Sequence, residues 1–441
     1  MSGLEPLYTA AEMKAAEAGQ DVEALMERAG TAVAAAVARD YPGARVVAVC
    51  GKGANGGDGR IAARKLGADV VDVGAELPEA DVVVDAIFGT GFHGEPREDA
   101  ARSIAAIRTA GVPVVAVDAP SGVNASTGEV SGVCVHAATT ITFHGEKVGL
   151  AVAPGSLNAG QVAIANIGLE HAETAHARVT SEILRRLPRR RRGGNKYRSG
   201  SVLVVGGAPG LTGAACLAAE AAFRADAGYV TVCAPAESLP VIETRLLEAV
   251  KRPLEDAFGA AERAGSLALG PGLGRGEEAR KLVRRLLAEI DLPAVVDADA
   301  LFGFEPVERD APTVLTPHSG ELSRLLEEET DWIDAHRLEA VARAVERFRC
   351  VVLLKGSETI VAAPGARTLI SAGTPRLATA GTGDVLTGII AAVLAKQLEA
   401  PLAAALGARA HADSALAAPH ERGLLASDVI GQLPRVLDAA L

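Results

Sequence analysis

Aromatic side chains are scarce: Phe, Tyr and Trp make up 3% of 441 residues. Any core must therefore be built from Ala, Val and Leu, which suits layered α/β packing. Cysteine is scarce as well. The five present (Cys50, Cys134, Cys216, Cys233, Cys350) form no C-x-x-C pair, and an odd number cannot all pair within one chain. Reduced thiols in a cytoplasmic setting are expected. Positive charge is not in excess. With 44 Lys+Arg against 55 Asp+Glu, the formal charge is −11, which excludes a general nucleic-acid or membrane-surface role. No unbroken apolar run is long enough to cross a bilayer. The opening MSGLEPLYTAAEMKAAE lacks a basic stretch followed by an apolar one. A cytoplasmic protein with no nucleic-acid and no membrane partner is expected.

What is present is a long alternation of apolar and helical segments. The length suits two domains, and 49% hydrophobic residues can fill two cores. In the first part the apolar runs are 45–50, 68–73, 81–88, 113–119, 138–143 and 161–166. GRIAARKLG and EDAARSIAAIRTAG read as helices between them, and a helical pair over 10–40 precedes them. Continuous rather than alternating hydrophobicity is the mark of parallel strands covered on both faces. The first domain reads as a doubly wound, Rossmann-like three-layer sandwich over 1–176. Polar, arginine-rich sequence with Pro188 and a Gly pair marks a solvated linker over 177–194. A second αβ series fills 195–441, with apolar runs beginning at SVLVVGG (201–207) and an Ala-rich helix at 212–227. It closes with helices over 382–396 and about 401–418. No internal repeat relates the halves.

Chemistry is sharpest in the second half. Residues 377–388 read LATAGTGDVLTG and lead into an apolar helix. Glycines before a helix leave backbone N–H groups free at its positive end, a ready anion site. Asp384 falls in the first turn, where it can take a proton from a substrate hydroxyl while the amides of Gly381 to Gly383 hold a transferring phosphoryl group. The plainer possibility is a helix-capping aspartate. Asn195-Lys196, GPGLG (270–274), DADAL (297–301), TPHSGEL (316–322) and KGSET (355–359) each follow or precede a strand-like run. Open α/β sheets bind ligands at such strand ends.

This ordered set resembles the ribokinase-like superfamily, and within it the ADP- or ATP-dependent NAD(P)H-hydrate dehydratases, over essentially 195–441. The resemblance implies that Lys355, Gly356, Ser357, Glu358, Thr359, Gly381 and Gly383 hold the nucleotide. It places Ala215, Gly272, His318 and Asp384 on the hydrated nicotinamide, with Asp384 as base. Mg²⁺ would accompany ADP or ATP. Asp297 and Asp299 either support it through water or cap their loop. Phe302 departs from the family, which usually has Asn after DADAL.

In the first half, Gly51-x-Gly53-x-x-Gly56 satisfies the dinucleotide fingerprint, with the acidic Asp72 further on. The loop continues Gly57-Asp58-Gly59, however, and a carboxylate at the helix start would repel a pyrophosphate. VVDAIFGTGFHGE (83–95) and VVAVDAPSGVNASTGE (114–129) add oxygen donors at two further strand ends. Asn55, Asp85 and Ser121 suit an alkali or alkaline-earth cation rather than zinc. These loops, with LMERAG at 25–30 and TFHGEKVGL at 142–150, resemble the NAD(P)H-hydrate epimerase domain over about 10–170. The resemblance implies K⁺ on Asn55, Asp85 and Ser121. It implies substrate contacts from Ala54, Asn55, Gly56, Gly57 and Asp58, from Gly89, Thr90, Gly91, Phe92, His93, Gly94 and Glu95, and from Asp118. Asp118 with Lys147 is the candidate acid–base pair, the alternative for Lys147 being a surface lysine. Ala54 stands where the family usually has Asn, which removes one amide from the loop.

The expected function is repair of hydrated NADH and NADPH. The first domain would interconvert their R and S epimers. The second would phosphorylate the S epimer from ADP (giving AMP and phosphate) or ATP and eliminate phosphate. The resemblance further implies a homo-oligomer. Two alternatives stand beside this reading: a ribokinase-like kinase for a vitamin-precursor alcohol, with a non-catalytic N-terminal binding domain, and a non-enzymatic scaffold.

Overall fold

The run RVVAVC becomes strand Val46–Cys50, in which every residue is buried because helices cover both faces. The computed structural model describes residues 2–170, 172–190 and 199–440. Its chain divides into two units, one centred on Pro6–His176, the other on Ala177–Ile333 and the residues from Leu338 onward. Among the described residues no helix is long and apolar enough to cross a membrane.

In the first unit six parallel strands lie in the order Asp69–Asp72, Val46–Cys50, Val82–Ala86, Val114–Val117, Thr139–Phe143, Gln161–Ala165. Alternate side chains of one strand serve opposite layers. Val46, Ala48 and Cys50 pack with helices Val22–Asp40 and Ala54–Leu66, while Val49 faces helix Glu98–Thr109 through Ile104 and Ile107. Asp69–Asp72 is an edge strand and is mostly exposed. The chain runs outward from Val46–Cys50 to this edge, then returns to the other side. The carboxyl ends of Val46–Cys50 and Val82–Ala86 therefore border the switch point at which open α/β sheets bind ligands.

The second unit repeats the logic with different strands. Val250–Pro253, Tyr229–Ala234, Ser201–Val205, Ser266–Leu269, Ala294–Val296, Thr313–Leu315 and Val351–Leu354 run parallel. Glu358–Ala362 and Thr368–Ala372 then add an antiparallel hairpin. The switch point lies beyond Ser201–Val205 and Ser266–Leu269. Helices Thr212–Arg224, Thr382–Leu394, Ala400–Ala417 and Ala426–Ala439 form one alanine-rich layer over the sheet. Gly388 permits the closest approach, since a Cβ there would lie 2.1 Å from the Ala218 carbonyl oxygen.

Two elements depart from the sequence reading, and one motif falls outside the described residues. The last helix, Ala426–Ala439, was not foreseen, because Gly431 and Pro434 interrupt its pattern while its face of Val429, Ile430 and Leu433 still packs. Within the stretch read as linker, strand His176–Val179 and the helical turn Ser181–Arg186 bury Ala177, Val179, Ile183 and Leu184. Short apolar pairs flanked by arginines are too brief for a period to show. Asn195 and Lys196 lie outside the described residues.

Candidate active sites

In the first unit, the glycine loop ends strand Val46–Cys50 and opens helix Ala54–Leu66, whose N-cap is Gly53. Most of its glycines are packing positions, Gly53 being the exception. A Cβ on Gly56 would sit 1.9 Å from the Gly51 carbonyl oxygen, and one on Gly57 would sit 2.0 Å from the Met26 methyl. Asp72, the fingerprint acid, is ion-paired with Arg60, which also donates to the Gly51 carbonyl at 2.9 Å. Beside the loop opens a cleft of about 1020 Å³. Ala54, Asn55 and Asp58 line it with Gly89 to His93, Glu95 and Asp118. Gly56 and Gly57 are not among the residues that line this cleft, and the Phe88 and Phe92 rings stack at 4.5 Å on its rim.

Asp118 is the most heavily engaged group in that wall. It sits at φ 66, beyond the end of Val114–Val117. Its Oδ2 accepts from the Thr90 amide at 3.1 Å and from the Thr90 hydroxyl. Its Oδ1 accepts from Thr142 Oγ1 at 3.1 Å and pairs with Lys147 Nζ at 2.7 Å. Burial opposes ionisation, but the Lys147 ammonium and these hydrogen bonds hold the carboxyl below its ordinary range. Lys147 is not a surface residue: it is 1% exposed and also donates to Thr142 Oγ1, the Phe143 carbonyl and the Gly145 carbonyl.

Asp85 is fully buried at the end of its strand. Ser121 donates to it twice, from Oγ at 2.6 Å and from its amide at 2.8 Å. These partners are neutral, and burial raises the Asp85 carboxyl to about 6. Asn55 is buried nearby against Gly89, with Nδ2 lacking a hydrogen-bond partner.

In the second unit, helix Thr382–Leu394 begins at Gly381, held at φ 88, with no side chain capping its first amides. Free N–H groups at a helix start favour an anion. Lys355 enters this space from the end of Val351–Leu354, its Nζ 3.5 Å from where a Cβ of Gly383 would stand. It donates to Asp297 Oδ1 at 2.8 Å and lies 3.7 Å from Glu321. Thr387 donates to the other Asp297 oxygen at 2.7 Å. Burial works against the Lys355 charge, but Asp297 and Glu321 outweigh it and raise its pKa. Asp384 is pushed up to about 7, first by burial, then by the charge of Asp297. It thus stands near half-ionised at neutral pH, suited to accept a proton.

His318 caps helix Ser319–Leu326, with Nδ1 accepting from the Gly320 amide at 3.0 Å. That contact assigns the proton of the neutral ring to Nε2, and burial lowers its pKa. Asp299 receives the Gly274 amide at 2.9 Å and Arg275 at 2.8 Å, so both oxygens brace the GPGLG loop. Gly272 stands at φ 62 in the same loop, where a Cβ would lie 2.4 Å from the Leu211 carbonyl oxygen. Ala215 is wholly buried beside Gly207. In the KGSET segment Ser357 donates to Glu358 at 2.6 Å, and Thr359 pairs with Ser371 across the hairpin. Phe302 is exposed, with Arg275 above its ring.

Residues 202–435 match the family described as NAD(P)H-hydrate dehydratase, and 22–79 with 70–149 match the YjeF-related protein N-terminus. The bifunctional NAD(P)H-hydrate repair enzyme of Moorella thermoacetica is 38% identical, covering 94% of this chain and 92% of its own. The chain belongs to the bifunctional NAD(P)H-hydrate repair enzymes. The Escherichia coli member is 35% identical over 94% of this chain and 89% of its own. Among solved structures, an ADP/ATP-dependent NAD(P)H-hydrate dehydratase from Bacillus subtilis, co-crystallised with ATP/Mg²⁺, aligns with TM-score 0.55 and 30% identity. It covers 59% of this chain and 98% of that one.

For this repair-family chain, sequence reasoning singled out Asp384, Lys355 and Asp118, and the oxygen donors Asn55, Asp85 and Ser121, of which the structure joins Asp85 and Ser121 by hydrogen bonds. It missed Glu321 and Thr387, although both lie inside quoted motifs. It also missed His411, on Ala400–Ala417, which burial and then the Lys355 charge hold at about 3, hence neutral, beside Thr382. Nothing local marks that histidine; only the fold brings it to the glycine loop.

Proposed function

We propose that this chain repairs hydrated NADH and NADPH by two reactions on two sites. The first unit inverts C6 of the hydrate. The second takes the S epimer, phosphorylates its ring hydroxyl from ADP or ATP, and releases phosphate to restore the reduced nicotinamide. The observation that carries this reading is Asp384 at an uncapped helix start with the Lys355 ammonium beside it. The base and the anion site thus converge. Asp384 would withdraw the hydroxyl proton while the free amides and Lys355 hold the phosphoryl oxygens. Asp297, Glu321 and Thr387 keep Lys355 charged and aimed.

Among the described residues no group of three or more His, Cys, Asp or Glu side chains is arranged for a metal ion. Mg²⁺ would accordingly enter with the nucleotide phosphates, whose charge it neutralises. In the first unit, Asn55, Asp85 and Ser121 fit a K⁺ ion. Asp85 is a buried carboxylate with neutral partners, and a bound cation would keep it ionised and brace the loops around it. Reduced cytoplasmic conditions and a homo-oligomeric state complete the reading. The five free cysteines and the family resemblance support it.

The test incubates the protein with mixed epimers of hydrated NADH, Mg²⁺, K⁺ and either nucleotide, and follows the reduced-nicotinamide absorbance. Full recovery of both epimers is expected. No recovery with ADP or ATP would sink the reading. A stable phosphorylated product in its place would favour the small-molecule kinase.

A further inference from the structure

Inverting C6 requires a group that gives and takes a proton, and the pair Asp118–Lys147 is badly placed for it. Asp118 receives four hydrogen bonds, from the Thr90 amide, the Thr90 hydroxyl, Thr142 and Lys147. Both of its oxygens are occupied, which makes it a weak base. Lys147 has three hydrogens and four oxygen partners: Asp118, Thr142 and the carbonyls of Phe143 and Gly145. It has none to spare, and at 1% exposure no face toward the cleft.

Asp58 differs in each respect. It lines the same cleft from helix Ala54–Leu66, one turn after Asn55. It is 7% exposed, and its Oδ1 is buried with no hydrogen-bond partner. A buried unpartnered carboxyl oxygen is costly unless something binds there. Burial first, then the charges of Asp118 and Glu17, push Asp58 up to about 8. It is therefore a neutral acid at neutral pH. Glu17 ends helix Ala10–Glu17 and is itself raised by burial and by Asp118. The other ionisable groups lining the cleft are Lys14 on that helix, Lys52 within the glycine loop, His93, Glu95 and Arg97 on the opposite loop, and Asp99.

We propose that Asp58 is the proton-transferring residue of the epimerase site, and that Asp118–Lys147 is a fixed ion pair that positions the Thr90 loop. This rests on the epimerase reading of the first unit. The Asp58 carboxyl gives its proton to the C6 hydroxyl. The C6–O bond breaks, its electron pair leaving with water, and the N1 lone pair forms a C6=N1 double bond. The resulting cation faces the Glu17 and Asp118 carboxylates. Water then adds to the opposite face of C6, and its surplus proton returns to Asp58. Nothing is oxidised or reduced, and the net change is inversion. Two carboxyl groups whose surroundings drive their pKa values apart are a common division between acid and electrostatic partner.

The experiment uses the full chain and measures R-to-S conversion of hydrated NADH by chromatography, without nucleotide. Asp58→Asn should lower kcat by ~10²–10⁴-fold with KM nearly unchanged, since only proton transfer is removed. Asp58→Glu should recover part of the rate. Inversion in ¹⁸O-labelled water should place ¹⁸O on C6. Asp58→Asn with nearly wild-type kcat, or with a change in KM alone, overturns the proposal. Inversion without ¹⁸O uptake overturns it as well. An Asp58→Asn chain that no longer melts cooperatively would also count against it, because a neutral carboxyl should tolerate its amide isostere. A wild-type chain that does not invert the hydrate removes the epimerase reading instead.

Discussion

Asp384 and Asp58 are both carboxyls that burial holds above their ordinary range, and the sign of the effect differs between them. Asp384 has to be ionised to act, so dehydratase kcat/KM should rise with pH and level off above about 7. Asp384→Asn should remove that limb and lower the rate by ~10²–10⁴-fold, as a stopped-flow pH series would show. Asp58 is neutral in the folded chain up to about 8, whereas the unfolded chain releases that proton near 3.8. Between these values the folded state binds more protons, so wild-type stability falls as pH rises. Asp58→Asn should therefore raise the melting temperature of the first unit more at pH 8 than at pH 5, which calorimetry measures. Neither shift could be read from spelling alone. The motifs name the carboxyls, but burial and neighbouring charges come from strands far away in sequence. Lys147 makes the same point: its letters suit either a surface lysine or a catalytic one, and packing makes it a buried partner of Asp118.

At the level of elements, most strand–loop–helix units were legible because their strands, such as Val46–Cys50, Val82–Ala86 and Ser201–Val205, are near-continuous apolar runs that stop where a glycine-bearing loop begins. The hairpin Glu358–Ala362 and Thr368–Ala372 and helix Ala426–Ala439 were not. Their patterns are short or broken by Gly and Pro, and neighbours sustain them. Glycine is where elements meet most closely. Gly388→Ala would drive helix Thr382–Leu394 off Thr212–Arg224, since its Cβ would overlap the Ala218 carbonyl. A loss of ~1–3 kcal/mol, with a larger fall in dehydratase activity, is expected from denaturant melts. Asp297 joins three elements by binding Lys355 and Thr387. Asp297→Ala leaves a largely buried ammonium without its closest partner and should cost ~3–5 kcal/mol.

For the whole molecule, two sites on one chain make a separable pair of activities. Asp384→Asn should leave inversion of the hydrate intact, while Asp58→Asn should leave dehydration of purified S epimer intact. Chromatography of the epimers and absorbance recovery report the two results independently. The sequence by itself determined the class of fold and the succession of most strand and helix units along the chain, and it named the loops proposed to carry function. Hydrophobic periodicity and glycine placement are local properties, and several short motifs in a set order are specific. The tertiary structure decided which carboxyl is neutral, which is held ionised, and which lysine can reach a ligand. Those properties depend on desolvation and on charges brought together by the fold: Asp58 and Asp118 line one cleft, and Lys147 is buried against Asp118. The glycine loop of the fingerprint shows both levels at once. Its letters place a turn at a strand end, and only packing shows that Gly56 and Gly57 serve the fold while Asn55 and Asp58 face the cleft.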